Sequence, residues 1–207
     1  MSPQPANRPA APTPLRRQMA GTASARPSPL DALHEAKRTF LAGRRVDMRC
    51  LAGALGVDRA TLYRWVGSRE QLLTEVMWHL LERTIGGLRT AAPTGERSVA
   101  ADILTDTTQA VITNQGMQRF LEREGDLALR LLTTKASGLQ QRLITLVADI
   151  IDTDRRHGHL HSTVPGDDLP YVLVRIVESY VYLSLITGEE PDATRASRVL
   201  HALLPQA

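Results

Sequence analysis

Residues 46–76, VDMRCLAGALGVDRATLYRWVGSREQLLTEV, constrain this chain more than any other stretch. They read as two short helices around a tight glycine turn, followed by a longer capped helix. Asp47 stands where a helix cap is needed, ahead of an apolar face made by Met48, Leu51, Ala52 and Leu55. Gly56 follows, where a left-handed or sharply turned backbone is required, and Val57 plugs the turn. Asp58 caps the next helix, residues 59–66, on which Leu62 and Val66 point inward. Gly67 stops it. Ser68-Arg69-Glu70-Gln71 is an S-x-x-Q capping box that opens a long amphipathic helix to about residue 88, striped by Leu72, Leu73, Val76, Leu80 and Ile85. This is a helix-turn-helix pattern, whose second helix is shaped for the DNA major groove.

A brace helix precedes it. Ser28 is a good N-cap, Pro29 suits the first helical position, and Asp31 suits the positive helix end. Leu30, Leu33, Ala36, Phe40 and Leu41 lie near one face, and Gly43 ends the helix. On the second short helix Ala60, Thr61, Tyr63, Arg64 and Trp65 are left outward. Ala60 could meet a thymine methyl, Thr61 a base or phosphate, and Arg59 a guanine edge. Tyr63 and Arg64 are long enough for phosphates. Arg69 lies in the first turn of the next helix, where backbone N–H groups favour an anion. Arg49, with Arg44 and Arg45, flanks the first short helix as a candidate backbone contact.

Charge is distributed to match. Residues 1–30 carry +4, residues 31–90 carry +3 and residues 91–207 carry −4, for a net +3. A basic module joined to an acidic one suits a polyanionic partner. Residues 1–27 hold six prolines among Ala, Ser, Thr and Arg, a composition that predicts disorder. That tail is either merely solvated or a basic arm on the DNA backbone or minor groove.

MRCLAGALGVDRATLYRWVGSREQLLTEV resembles the DNA-binding region of the TetR family of bacterial transcriptional regulators. The resemblance spans about residues 29–80 and rests on Ala60-Thr61-Leu62-Tyr63 and on Ser68-Arg69-Glu70-Gln71-Leu72-Leu73. The sequence departs from the family pattern in two places. The link from Phe40 to Met48 is short, and Trp65-Val66 replaces a polar or aromatic residue followed by Phe. The resemblance implies an all-α fold: an N-terminal helix-turn-helix domain (28–75) and a C-terminal helical domain (76–207) that dimerises and binds a small-molecule effector. It also implies a double-stranded, palindromic operator and, as a family prior, repression rather than activation.

The remaining sequence is itself helical in pattern, with segments near 98–114, 117–123, 125–133, 136–156, 168–185 and 192–203 and no hairpin signal. The helices at 136–156 and 168–185 are the expected homodimer interface, striped by Leu139, Leu143, Leu146, Val147, Ile150 and Ile151 and by Val172, Ile176, Tyr180 and Leu183. Candidate effector contacts are polar or aromatic residues on apolar faces: Trp78, His79, Phe120, Arg123 and Arg130, then Arg175, Glu178, Ser179 and Tyr182 at i, i+3, i+4 and i+7. Arg175 and Glu178 could equally pair with each other. The pattern around Leu131-Leu132-Thr133 and Tyr171 to Tyr182 resembles QsdR-type regulators, which implies a neutral lactone as effector.

Other classes find little support. No nucleophile–base set, metal motif or phosphate loop is visible, so neither an enzyme nor a cofactor is expected. His157-Gly158-His159-Leu160-His161 reads as a polar turn rather than a metal site. Cys50, the lone cysteine, reads as a small buried hydrophobe, consistent with a cytoplasmic setting. No run approaches the about 18 apolar residues of a membrane span, so no membrane contact is expected. An activator, or an architectural DNA-binding protein without an effector, is the alternative.

Overall fold

The computed structural model describes residues 26–92, 98–160, 162 and 164–205. The tail expected to be disordered lies, up to residue 25, outside the described residues. Among these residues the protein is all-α, with ten helices and no β-strand.

Helix α1 (Pro29–Leu41) starts on a capping box: Ser28 N donates to Asp31 Oδ2 at 2.8 Å and Asp31 N donates to Ser28 Oγ at 3.3 Å. Its buried stripe is Ala32, Ala36 and Phe40, four residues apart. Leu30 and Leu41 each lie about a third of a turn or more from the centre of that stripe, and they are 64% and 39% exposed, contrary to the sequence expectation. Helix α2 (Met48–Leu55) is capped by Asp47, which accepts from Arg49 N and Cys50 N, each at 2.9 Å. Met48, Leu51 and Ala52 are buried. Cys50 faces the other way and is exposed, which corrects its reading as a core residue. Gly56, at φ 65°, makes the left-handed turn that a side chain would strain. Helix α3 (Arg59–Val66) then leads to α4 (Arg69–Ala91), opened by the Ser68–Gln71 box.

The second half holds α5 (Ala100–Thr113), α6 (Gln115–Thr133), a 3-10 turn at Lys135–Ser137, α7 (Leu139–Arg156), α8 (Leu169–Val181), α9 (Leu183–Ile186) and α10 (Ala193–Leu203). The two segments expected at 117–123 and 125–133 are one helix, kinked where Glu124 takes φ −135° and ψ 40°. The helix expected at 168–185 breaks instead at Tyr182. Buried Asp154 of α7 caps α5 from outside: its Oδ2 accepts from Ser98 Oγ, Val99 N and Ala100 N at 2.7–2.9 Å.

Two apolar cores result. One lies among α5, α7, α8 and α10, around Ile151, Leu173 and Leu200. The other starts in the helix-turn-helix, with Phe40, Leu62 and Leu72, and runs on without a break into α6 through Phe120, Leu121 and Leu131. The two halves are therefore packed together, not merely tethered. At the seam, α6 begins so close to α1 that a Cβ on Gly116 would sit 2.3 Å from the Phe40 carbonyl oxygen. Only glycine fits there.

Candidate DNA interface and ligand cavity

Helix α3 is fixed from below and from its start. Leu62 is wholly buried beneath it. Asp58 accepts from Thr61 N at 2.7 Å and from Thr61 Oγ1 at 2.9 Å. The Thr61 backbone bond, foremost, holds the Asp58 carboxyl below its ordinary range, so the cap is the ionised form. Arg64 Nη2 donates to Thr61 Oγ1 at 3.3 Å. Arg59, Ala60, Tyr63 and Arg64 remain as one exposed strip, with Tyr63 at 41%. Arg49 is exposed on α2. A strip of two arginines, a tyrosine and a small residue on a rigid helix can enter a major groove and reach both phosphates and base edges. Trp65 does not join it: the indole packs, half-buried, against the first core, which corrects its reading as an outward residue.

Arg69 is placed quite differently from expectation. Its Nε donates to the Val46 carbonyl at 2.6 Å, and its two terminal nitrogens hold the Glu124 carboxylate at 2.7 and 2.8 Å. Three of its five N–H donors are turned inward, toward the Val46 carbonyl and the kink in α6, and the side chain is largely buried, so in this arrangement it is spent on an internal contact rather than held out toward a phosphate. Arg45 adds a second cation 3.6 Å from Glu124. Glu124 carries no motif, and its only trace in the sequence is the break between the segments expected on either side of it.

A cavity of about 140 Å³ lies in the second half, walled by α4, α5, α6, α7 and α8 and reaching Phe40 of α1. Its lining is almost wholly aliphatic. Leu80, Leu81, Leu104, Leu143, Val147 and Val177 are among its walls. The polar exceptions are Thr84, Thr107, Asn114, Glu178 and Tyr182. Thr107 Oγ1 is buried and has no hydrogen-bond partner among the described residues.

The family model described as "Tetracyclin repressor-like, C-terminal domain" matches residues 94–205, more than half of the chain. The chain belongs to the TetR family of transcriptional regulators. The TetR-family repressor QsdR of R. erythropolis is similar over 85% of this chain and 93% of its own, with 29% sequence identity and a TM-score of 0.74. AlkX, a TetR-family repressor from Dietzia sp. strain DQ12-45-1b, shares the fold over 86% of this chain and 95% of its own, at 22% identity and a TM-score of 0.60. No curated protein sequence matches the chain.

Of the effector contacts expected from the sequence of this TetR-family chain, Glu178 and Tyr182 line the cavity and the rest do not. Arg175 stands behind Glu178, ion-paired to it and hydrogen-bonded to Gln140. Gln140 in turn donates to Glu178 at 2.5 Å, and Tyr182 Oη reaches Glu178 at 3.5 Å. Burial, foremost, pushes the Glu178 carboxyl above its ordinary value. Burial, then the neighbouring Glu178 charge, pushes the Tyr182 phenol well up. Ser179 is exposed and bonded to the Ile176 carbonyl. Trp78 lies under the Arg142 guanidinium, 4.2 Å from its ring centroid. His79 faces off the cavity side of α4, half-buried. Phe120 packs edge-on against Phe40 at the domain seam, Arg123 lies beside it, and Arg130 is exposed on α6. Thr107, the unpartnered hydroxyl, was not expected; a threonine in the middle of an apolar helix face gives no signal in sequence. His157 and His159 stack at 5.6 Å, while His161 lies outside the described residues. Among the described residues no helix is long and apolar enough to cross a membrane.

Proposed function

We propose that this regulator is a dimeric repressor that seats α3 in successive major grooves of a palindromic operator and leaves the DNA when a small molecule fills the cavity. The observation that carries this reading is that one helix, α4, serves both sites. Its first turn is locked to the reading module through Arg69, and its middle forms a cavity wall through Leu80, Leu81 and Thr84. A ligand that binds better when α4 is displaced shifts the spacing of two reading helices. The similarity to a protein described as a transcriptional repressor supports the sign of the response.

The cavity supports a mainly aliphatic, neutral effector with one hydrogen-bonding group. Arg175 already balances Glu178, so neither a free anion nor a free cation is called for. Nothing in the lining singles out a lactone ring.

The dimer face we propose differs in one helix from the one expected. Val147, Ile150 and Ile151 of α7 are buried within the protomer, so that stripe serves the protomer's own core. Val172, Ile176 and Tyr180 of α8 stay partly open, and Tyr180 shares a groove with Val199 and Leu203 of α10. Helices α8 and α10 are therefore the proposed interface. A gel-shift titration against the DNA upstream of its own coding region, with excess competitor, tests the reading. A saturable, effector-sensitive shift supports it; a shift that competitor DNA abolishes contradicts it.

A further inference from the structure

A second cleft, of about 310 Å³, opens at the seam between the reading module and α6, and it has the opposite chemistry from the aliphatic cavity. Its floor is apolar, formed by Phe40, Leu73 and Phe120. Its rim carries Arg44, Arg45, Arg69, Arg119 and Arg123 against a single carboxylate, Glu124. Five guanidinium groups around one acid leave the cleft strongly positive.

The partners of these arginines show how it is held. Glu124 takes the forks of Arg69 and lies near Arg45. Arg119 reaches back to Glu122 on the solvent side at 3.0 Å, a pair 48% and 58% exposed and thus weak. Arg123 donates to the Gly43 carbonyl at 3.4 Å, a long bond. Arg44 makes no ion pair among the described residues. The Arg119 stem lies against Gly43, so the α1–α2 link and α6 form two facing walls.

We infer that this cleft is a binding site for a small phosphorylated molecule, whose phosphate oxygens take the place that Glu124 holds inside it. Guanidinium forks match phosphate oxygens in pairs, and a concave site with an apolar floor excludes water that would otherwise screen them. The strip on α3 contributes no residue to the cleft, so a small solute rather than the duplex is the fitting occupant. An anion that draws Arg45 and Arg69 away from Glu124 would loosen the ion pair that ties α4 to the kink of α6. The site thus has a route to the reading helices separate from the aliphatic cavity.

Isothermal titration calorimetry of the full chain with inorganic pyrophosphate tests the site without any operator DNA. The expected result is saturable binding, one per protomer, weakened about tenfold in Arg119→Ala/Arg123→Ala and in Arg44→Ala. Glu124→Gln should bind more tightly, because the internal competitor is gone, whereas Glu189→Gln, which removes a charge that does not line the cleft, should not. Thermal melting of each variant confirms that it is folded. No saturable heat, or equal affinity in the arginine variants, would overturn the inference. So would a parent protein that gives no pyrophosphate heat while its arginine variants lose operator affinity, which would assign these side chains to the DNA backbone. Operator binding can fail while pyrophosphate still binds, so the two readings stand or fall separately.

Discussion

Arg69 and Glu124 are 55 positions apart in the chain and meet in a two-pronged ion pair, at 2.7 and 2.8 Å, that joins the first turn of α4 to the kink in α6. Both side chains are more than four-fifths buried, at 16% and 18% exposure. The kink is what turns the Glu124 carboxylate toward the reading module, and the Val46 carbonyl holds the third donor of the arginine. The pair is a mechanical connection between the half that meets DNA and the half that holds the cavity.

Removing either partner should therefore loosen that connection. Arg69→Ala and Glu124→Gln should each lower unfolding free energy by about 1–3 kcal/mol, since the first leaves the mostly buried Glu124 with only Arg45, at 3.6 Å, and the second leaves the mostly buried Arg69 charge without its carboxylate. The double variant should cost clearly less than the sum. Denaturant melts of the four proteins in a double-mutant cycle measure this; strict additivity would mean that the two side chains do not act as a unit.

Tyr63→Ala should abolish operator binding and leave assembly and stability unchanged. The ring is exposed on α3 and contributes nothing to either core. Light scattering and fluorescence anisotropy on the same sample separate the two effects. Wild-type affinity in the variant would remove α3 from the interface.

Thr107→Val should stabilise the empty protein by about 1 kcal/mol. The hydroxyl is buried in the cavity wall without a partner, and an isosteric methyl removes that desolvation cost. The same change should weaken any effector whose polar group reaches this wall. Such a gain in stability against a loss in binding is the signature of a group kept for a ligand. Unchanged melting would show that the hydroxyl is satisfied in solution.

Glu178→Gln should flatten part of the pH dependence of stability. The folded carboxyl holds its proton more tightly than the unfolded one, chiefly through burial. The contribution of Glu178 is thus fully present below the ordinary carboxyl range and is lost as pH rises through its raised value. Melting temperatures of wild type relative to the Gln variant, from pH about 4 to about 7, should fall as pH rises. A difference that rises over that range would mean that Arg175 outweighs burial.

The local half of this molecule was legible in its sequence because its determinants are local. Asp47, Asp58 and Ser68 cap helices within three residues of themselves, and Gly56 turns the chain on its own. The functional placement was not legible in the same way. Arg69 has a phosphate-binding position by helix arithmetic, yet a carboxylate far along the chain claims it. Arg175, Glu178, Ser179 and Tyr182 share a face on an ideal helix. The chain breaks at Tyr182, though, and packing turns only Glu178 and Tyr182 into the cavity. For α7, periodicity shows that an apolar face is buried, not what buries it, and Val147, Ile150 and Ile151 lie in the protomer's own core.

The most direct test of the central claim is selection of bound fragments from sheared genomic DNA by the purified protein, run beside Tyr63→Ala. The account predicts that the wild-type protein enriches a small set of fragments sharing an inverted repeat, with half-sites about one helical turn or a multiple apart, and that the variant enriches none. No shared repeat with the wild-type protein, or the same fragments with both proteins, would contradict it.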